Sequence, residues 1–190
     1  MLACPICGNE KIKCPHWFLG NSGREINPHA VINEDIDIYW IAKSLSKVCR
    51  YNGHTDHFYS VAQHSVYVSQ VVPEEWAFCG LMHDTTEPFC QDIIRPLKIT
   101  WKEHKKIEQG IWEKIAGKFG LPMEMPMEVK RADNEVLLAE RYQILPPSET
   151  KWEFSEEPAN IKIVEMNDRE AFDFFMGRFS ELTQGKGFGY

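Results

Sequence analysis

The sequence lacks the features that mark several large classes of protein. None of its apolar runs approaches the ~20 residues that a membrane-spanning helix needs. Its N-terminus has no basic region followed by an apolar one, so we expect no secretory signal and no membrane association. Internal repeats are also lacking. We therefore expect a cytoplasmic protein whose 190 residues suffice for one well-packed domain, with little room for a second.

Basic residues are too few for a general affinity for nucleic acids. The formal net charge is -7, which argues against a broad nucleic-acid-binding face and against a nucleic-acid-binding zinc ribbon. The acidic balance does not exclude a small anionic substrate, because a bound metal and a few local cations can reverse the sign of the potential inside a pocket.

The six cysteines do not form the disulfide framework that is typical of small secreted domains. Cys49, Cys79 and Cys90 are isolated among apolar residues, and we expect them to be reduced packing groups.

The other cysteines cluster within residues 1–20, which we interpret as a short extension. Cys4 and Cys7 form a C-x-x-C-G turn that can direct two thiolates at one ion, and Cys14 with His16 could complete a structural Cys3His zinc site. Only one residue separates Cys14 from His16, which makes that half of the site cramped. An extension without metal is the alternative. A redox role has less support, since no βαβ pattern surrounds the cysteine pair.

Apolar residues at three- and four-residue steps predict an all-α domain over residues 21–190. We expect the first helix to run from Asp37 to near Arg50, the third to carry His83 and Asp84, and Pro88 and Pro96 to mark an irregular segment after it. Residues 145–160 should be a surface loop. The remaining helices are predicted at about 60–72, 102–119, 128–144 and 168–182, the last capped by Asn167 or Asp168.

Four residues in these helical segments have metal-binding side chains: His64, His83, Asp84 and Asp133. The adjacent pair alone cannot fill a coordination shell of four to six, so further ligands must come from other helices. Two imidazoles and two carboxylates leave positions open for water and substrate. This donor set suits Zn, Co, Mn or Fe better than calcium, which prefers oxygen ligands only.

In this order the four residues resemble the metal site of the HD-domain phosphohydrolases, over roughly residues 25–142. The chain is most similar to the 5′-deoxynucleotidase-like branch, which includes phage enzymes that hydrolyse dATP. Residues 62–65 resemble its first-ligand helix, and residues 83–98 resemble its H-D-x-x-E-x(4)-D-x(3)-P-x-K pattern. The resemblance implies an HD helical bundle, a divalent cation as cofactor (Co, Mn, Zn or Mg), a homo-oligomer, and a bacterial or phage-infected cell.

The chemistry of phosphate esters gives the neighbouring acids a role. A divalent cation can neutralise a phosphoryl oxygen and lower the pKa of a bound water. Glu87 lies about one turn beyond Asp84 if the helix continues, and could then serve as general base. The alternative is a helix-end carboxylate before Pro88. Asp92 could share the proton transfer or hold the sugar hydroxyl.

Three cations and one aromatic residue are candidates for substrate binding. Lys130 shares a helix face with Asp133 and resembles a phosphate-contacting lysine of the triphosphohydrolases; a surface ion pair is the alternative, as it is for Lys98. Arg50 followed by Tyr51 resembles an Arg-aromatic pair that lines the nucleotide pocket. We predict that Arg50 binds an α-phosphate, against the alternative of a favourable charge at a helix C-terminus.

Together, these expectations predict a metal-dependent hydrolase of deoxynucleotides. Lys98 and Lys130 suit a long phosphate tail, so release of triphosphate, of the dATP type, is favoured over a 5′-deoxynucleotidase that acts on monophosphates. Tyr51 stands where some relatives have Trp, which leaves selection of deoxyribose open. A guanosine tetraphosphate hydrolase fits less well, because Pro88 follows Glu87 where that family has Asp. A nucleotide-binding HD protein without turnover is the alternative from a different class, although the complete ligand set argues against it.

Overall fold

The computed structural model of the chain describes residues 4–8, 15–150 and 152–184, and this part of the chain is mostly helical. The helical character of the predicted fold is therefore confirmed. Two short antiparallel strands, β1 (Phe18–Leu19) and β2 (Glu25–Ile26), precede the helices, with Phe18 opposite Ile26. The helices are α1 (Ile38–Leu45), α2 (Val61–Val71), α3 (Ala77–Met82), α4 (Glu87–Cys90), α5 (Arg95–Thr100), α6 (Lys102–Phe119), α7 (Met127–Gln143) and α8 (Asp168–Thr183).

Local capping signals fix the ends of several helices. The Ser60 side chain accepts a hydrogen bond from the backbone N–H of Gln63 at the start of α2, and Asn167 accepts two at the start of α8. Gly120 ends α6 in the left-handed conformation, with φ of 67°. The predicted boundaries of α2, α6, α7 and α8 are confirmed to within one residue.

Two segments differ from the prediction. Helix α1 ends at Leu45 rather than near Arg50, because the chain there becomes extended and pairs with the residues before α2. The backbone N–H of Arg50 donates to the Tyr59 carbonyl (3.0 Å), and that of Val61 donates to Val48 (3.0 Å). The segment predicted to be irregular after the His-Asp pair contains α4 and α5. Each has a proline at its first or second position, where the missing N–H costs nothing.

Helix α2 is the centre of the molecule and packs against α3, α7 and α8. Every residue from Val61 to Ser69 is buried. Some of its polar groups have partners: Ser69 Oγ donates to the Ala77 carbonyl (2.8 Å), and the Arg178 guanidinium of α8 donates to the Ser69 carbonyl (3.1 Å). A polar side chain on α2 therefore lies in the core, where its desolvation needs a compensating partner.

The remaining predictions on burial have mixed outcomes. Cys79 is buried and Cys90 half-buried, but Cys49 is exposed, so the expectation that it is a packing group was wrong. On α7 the buried leucine is Leu138, whereas the sequence phase favoured Leu137. Residues 145–150 and 152–167 contain no helix or strand, as predicted for the surface loop. No helix in the described part of the chain combines the length and apolar character needed to cross a bilayer.

Candidate metal centre

Three separate segments bring the four predicted metal ligands to one place. His64 lies in the first turn of α2, and Asp133 in the second turn of α7. His83 and Asp84 lie in the turn between α3 and α4, since α3 ends at Met82 and not beyond the pair as predicted. His64 Nε2 is 3.1 Å from Asp133 Oδ1 and 3.7 Å from Asp84 Oδ2, and His83 Nε2 is 3.1 Å from Asp84 Oδ2.

These distances fit the shell of one divalent ion. Two ligand atoms about 2.1 Å from an ion, at angles of about 90–109°, lie about 3.0–3.4 Å apart. One donor atom from each of His64, His83 and Asp133 falls within a common 4.8 Å. The three side chains could therefore hold a metal, and Asp84 adds a fourth donor at their edge.

Each histidine is held by its other ring nitrogen. His64 Nδ1 is 2.6 Å from Glu140 Oε1, and His83 Nδ1 is 2.8 Å from the Gly80 carbonyl. A proton on each Nδ1 satisfies these contacts and leaves the lone pair of Nε2 directed at the site. With the proton on Nδ1, neither buried Nε2 can donate a hydrogen bond, although each faces a carboxylate oxygen of the same site at 3.1 Å. Buried acceptor atoms that face one another in this way are expected where a metal binds.

Glu140, which the sequence analysis did not single out, holds the centre together. It is fully buried. Its Oε1 accepts from His64 and from Tyr59 (2.8 Å), and its Oε2 accepts from Arg50 (3.3 Å) and from Tyr51. Burial favours the neutral acid, but Arg50, His64 and Tyr51 lower the pKa of Glu140 to about 2. The sequence did contain a signal for this role of Glu140. An acid on the apolar face of α7, seven residues after Asp133, lies on the same side of the helix as Asp133.

The predicted substrate residues Arg50 and Tyr51 are part of this buried network. Arg50 lies between two carboxylates, with Nη1 3.6 Å from Asp84 and Nη2 3.3 Å from Glu140. Tyr51, in the left-handed region with φ of 54°, donates to Glu140. Burial opposes ionisation of Asp84, yet His83, His64 and Arg50 hold the pKa of its carboxyl well below the usual range. Arg50 thus supports the charge of two acids at the centre.

Glu87 and Asp92 lie close to this charge network. Glu87 begins α4, is 3% exposed, and its Oε2 has no hydrogen-bond partner in the described part of the chain. Burial, with the carboxylates of Asp84 and Asp92, raises the pKa of Glu87 well above its ordinary value. Burial also raises the pKa of Asp92, although Arg50 opposes this. A buried carboxylate with a raised pKa is a stronger base than an exposed one.

A cleft of ≈ 480 Å³ opens beside the ligands and is lined by His83, Asp84 and Asp133. The Asp133 side chain is 37% exposed whereas that of His64 is fully buried, so the centre opens to solvent on the Asp133 side. Lys98, Lys105 and Lys130 line the same cleft. Lys98 Nζ is held 2.7 Å from Glu108, and Lys130 is exposed on the first turn of α7. Lys105 was not singled out from the sequence.

Three of the four residues of the second predicted metal site lie in the described part of the chain. Cys4, Cys7 and His16 have donor atoms within a common 4.8 Å and could hold a metal. Cys14, the fourth predicted ligand, lies outside the described residues.

Helices around a central α2, with an imidazole and carboxylate centre between them, define a helical protein with a candidate metal site. No family model matches the chain. It is 42% identical over 166 residues to the uncharacterized protein YfdR of Escherichia coli (strain K12), covering 86% of this chain and 93% of that protein. It is 34% identical over 126 residues to an uncharacterized protein of Rhodobacter capsulatus, covering 61% of this chain and 64% of that protein. The chain belongs to the YfdR family.

Proposed function

We propose that this protein is an HD-type, divalent-metal-dependent hydrolase of deoxynucleotides that releases a nucleoside and triphosphate, with dATP as the substrate type. The observation that carries the proposal is the convergence of His64, His83, Asp84 and Asp133 beside a cleft lined by lysines. The donor set of nitrogen and oxygen suits Zn, Co, Mn or Fe, and the family resemblance adds Mg as a candidate. When bound, such an ion would neutralise phosphoryl oxygens and lower the pKa of water.

The side chains around the centre divide the work of the reaction. Water attacks the α-phosphorus, a new O–P bond forms, and the bond from phosphorus to the 5′ oxygen breaks. Glu87, buried and without a hydrogen-bond partner on Oε2 in the described part of the chain, accepts the proton of the attacking water. Asp92 assists this transfer or holds the sugar hydroxyl. The proton ends on the 5′ oxygen of the nucleoside, which leaves as an alcohol.

The cations of the cleft are suited to the phosphate tail. Lys130 and Lys105 lie along the cleft with no carboxylate within ion-pair distance in the described residues, and they can meet the β- and γ-phosphates. The charge of Arg50 can affect only a phosphate in direct contact with it, because Asp84 and Glu140 already neutralise its guanidinium. Its main part in this proposal is to keep Asp84 and Glu140 ionised.

A 5′-deoxynucleotidase that acts on monophosphates is a second candidate, favoured by one observation. Lys98, which we expected to contact phosphate, is already paired with Glu108 at 2.7 Å. Glu108 raises the pKa of Lys98 against the opposing effect of burial, so the ion pair is stable. Fewer available cations favour a shorter phosphate chain. By the same family resemblance we propose a homo-oligomer, which light scattering of the purified protein tests.

Product analysis separates these activities. The purified protein, supplied in turn with Co²⁺, Mn²⁺, Mg²⁺ and Zn²⁺, is incubated with deoxynucleoside mono- and triphosphates, and the products are resolved by ion exchange. Triphosphate plus nucleoside supports our proposal, whereas phosphate from monophosphates alone supports the second candidate. If no product forms with any metal, the remaining interpretation is a protein that binds nucleotides without turnover.

Two variants tie any activity to the site. Asp84→Ala should abolish metal binding at the His64 centre and turnover together while helical content stays near normal; full activity in that variant would disprove the assignment. Lys130→Ala should raise KM for triphosphates about tenfold, as expected for loss of one charge-assisted contact, and leave monophosphate turnover unchanged. Asp173→Asn, on the exposed face of α8, is the matched control for the aspartate.

A further inference from the structure

The N-terminal cysteines form a cluster that the proposed hydrolase does not use. Cys4 Sγ lies 3.6 Å from His16 Nδ1. A sulfur about 2.3 Å and a nitrogen about 2.05 Å from one zinc ion, at the tetrahedral angle, are about 3.6 Å apart. Cys7 Sγ falls within 4.8 Å of both donors. The spacing of Cys4 and His16 is therefore that of two ligands in a tetrahedral zinc site, and Cys7 is near enough to supply a third.

The backbone at this cluster has the form of a metal-binding turn. The N–H of Gly8 donates to the Cys4 carbonyl (2.8 Å), which closes the turn and brings the two cysteines together. Gly8 has φ of 68°, and a Cβ added there would meet nothing within 4 Å. Glycine is therefore required for its conformation and not for space.

Contacts around the donors tie the cluster to the β1–β2 hairpin. Asn27, directly after β2, donates its side-chain N–H to Cys4 Sγ at 3.5 Å, as groups around zinc thiolates commonly do. Asn27 itself is held by the backbone N–H of His29, 3.0 Å from its Oδ1. The His29 ring packs edge-to-face on that of His16, with centroids 6.0 Å apart. Cys4 is only 7% exposed, so this contact lies inside the fold.

We propose that Cys4, Cys7 and His16 bind a structural Zn²⁺ that fixes the N-terminal segment against the base of the β1–β2 hairpin. Two thiolates and an imidazole select zinc, whereas the centre at His64 offers nitrogen and oxygen donors only. The two sites therefore differ in metal preference, and the zinc site stands whether or not the protein is a hydrolase.

The proposed zinc site lies at the end of one wall of a cavity beside α1 and α4. Residues of both strands, including Phe18 and Ile26, line a cavity of ≈ 690 Å³ that extends to Asp92. His16 precedes β1 by one residue and Asn27 follows β2, so an ion held there fixes both ends of the hairpin. A zinc ion here would thus shape a cavity that extends to Asp92, the residue expected to assist proton transfer.

Metal analysis of the full-length protein tests the proposal. Protein produced with added zinc should contain one equivalent that survives in Asp84→Ala, and Cys4→Ser and Cys7→Ser should each lose this equivalent. Cys49→Ser, at an exposed cysteine outside the cluster, should keep it. Full zinc content in Cys4→Ser and Cys7→Ser would overturn the proposal.

X-ray absorption gives an answer even if the cysteine variants fail to fold. The zinc edge of the folded Asp84→Ala protein should show at least two sulfur neighbours at about 2.3 Å. A shell of nitrogen and oxygen alone, or absence of zinc from this variant, would overturn the proposal. Neither measurement uses enzymatic activity, so failure of the hydrolase proposal and failure of the zinc proposal are distinguishable.

Discussion

Single carboxylates determine the electrostatics of the candidate centre. Glu140 accepts from His64 and Tyr59 on one oxygen and from Arg50 and Tyr51 on the other. Its hydrogen bond to His64 Nδ1 fixes the tautomer that offers Nε2 to a metal, and its negative charge raises the basicity of that imidazole. Glu140 would thus be a positioning residue for a metal bound at His64, without touching the ion itself.

The variant Glu140→Gln removes this charge and nearly preserves the shape of the side chain. We expect Mn²⁺ to bind the variant about 10–100-fold more weakly, as for other residues that orient metal ligands. Isothermal titration gives the affinity, and circular dichroism confirms the fold. Glu128→Gln, exposed on the first turn of the same helix, should bind like the wild type. Unchanged affinity in Glu140→Gln would restrict Glu140 to a structural role.

Protons and metal compete at His64. Burial and Arg50 favour the neutral imidazole, but Glu140 and Asp133 raise the pKa of His64 to about 9 in the metal-free protein. Since the unfolded value is about 6.5, the protonated form stabilises the metal-free fold fully below about pH 6.5, and this stabilisation is lost as the pH rises through about 9.

A metal must displace the proton from His64, so its apparent affinity should rise with pH. We expect about a tenfold tighter apparent Kd for Mn²⁺ per pH unit between about pH 6.5 and 8.5. Titration calorimetry in buffers of different ionisation enthalpy should also show about one proton released per ion. An affinity that does not change over this range would contradict the protonated state assigned to His64.

At the scale of the elements, α3 approaches α2 closely at one glycine. A Cβ on Gly80 would lie 3.0 Å from Val72 Cγ1 and 3.2 Å from Ser69 Cα. Ser69 Cα is backbone and cannot move without shifting α2. The Gly80 carbonyl also accepts from His83 Nδ1, so the contact between the helices fixes a metal ligand as well.

Gly80→Ala should therefore lower the free energy of unfolding by about 1–3 kcal/mol, the usual cost of overpacking. In an open helical position the same change stabilises by up to about 1 kcal/mol. Gly117→Ala on α6 is the matched control, since nothing lies within 4 Å of its added Cβ. Urea unfolding measures both. Equal stability of the two variants would show that α2 and α3 can separate at no cost.

At the scale of the whole molecule, the centre exists only in the folded chain. Its ligands come from α2, from the turn after α3 and from α7, which lie far apart in the sequence. An ion that binds all three segments stabilises the folded state relative to the unfolded one, by about 1.4 kcal/mol for each tenfold excess over Kd.

Excess Mn²⁺ should accordingly raise Tm, and a chelator should reverse the change. Mn²⁺ prefers nitrogen and oxygen donors, so this shift reports on the centre at His64 rather than on the cysteine cluster. Asp84→Asn keeps the shape of the ligand and should lose most of the shift in thermal melts. The same shift in Asp84→Asn and in wild type would place the Mn²⁺ elsewhere.

Local interactions explain what could be predicted. Helix α6 begins at Lys102 and ends at Phe119, as its apolar period and Gly120 predicted, and Asn167 caps α8. These signals involve residues within one or two helical turns of each other, so they can be recognised in the sequence. Helix α1 was predicted too long, because a bridge between Cys49 and Ser60 extends the chain although the apolar period continues to Val48.

The sequence by itself determined the helices, the donor atoms and the order of the metal-binding residues along the chain. Only the tertiary structure decided how their charges are balanced. Glu140 was not singled out in the sequence and Arg50 was predicted to bind phosphate, yet packing places them 3.3 Å apart in the core. Ninety residues separate the two. The reason is physical: caps and periodicity depend on near neighbours, whereas burial and ion pairing depend on which helices pack together.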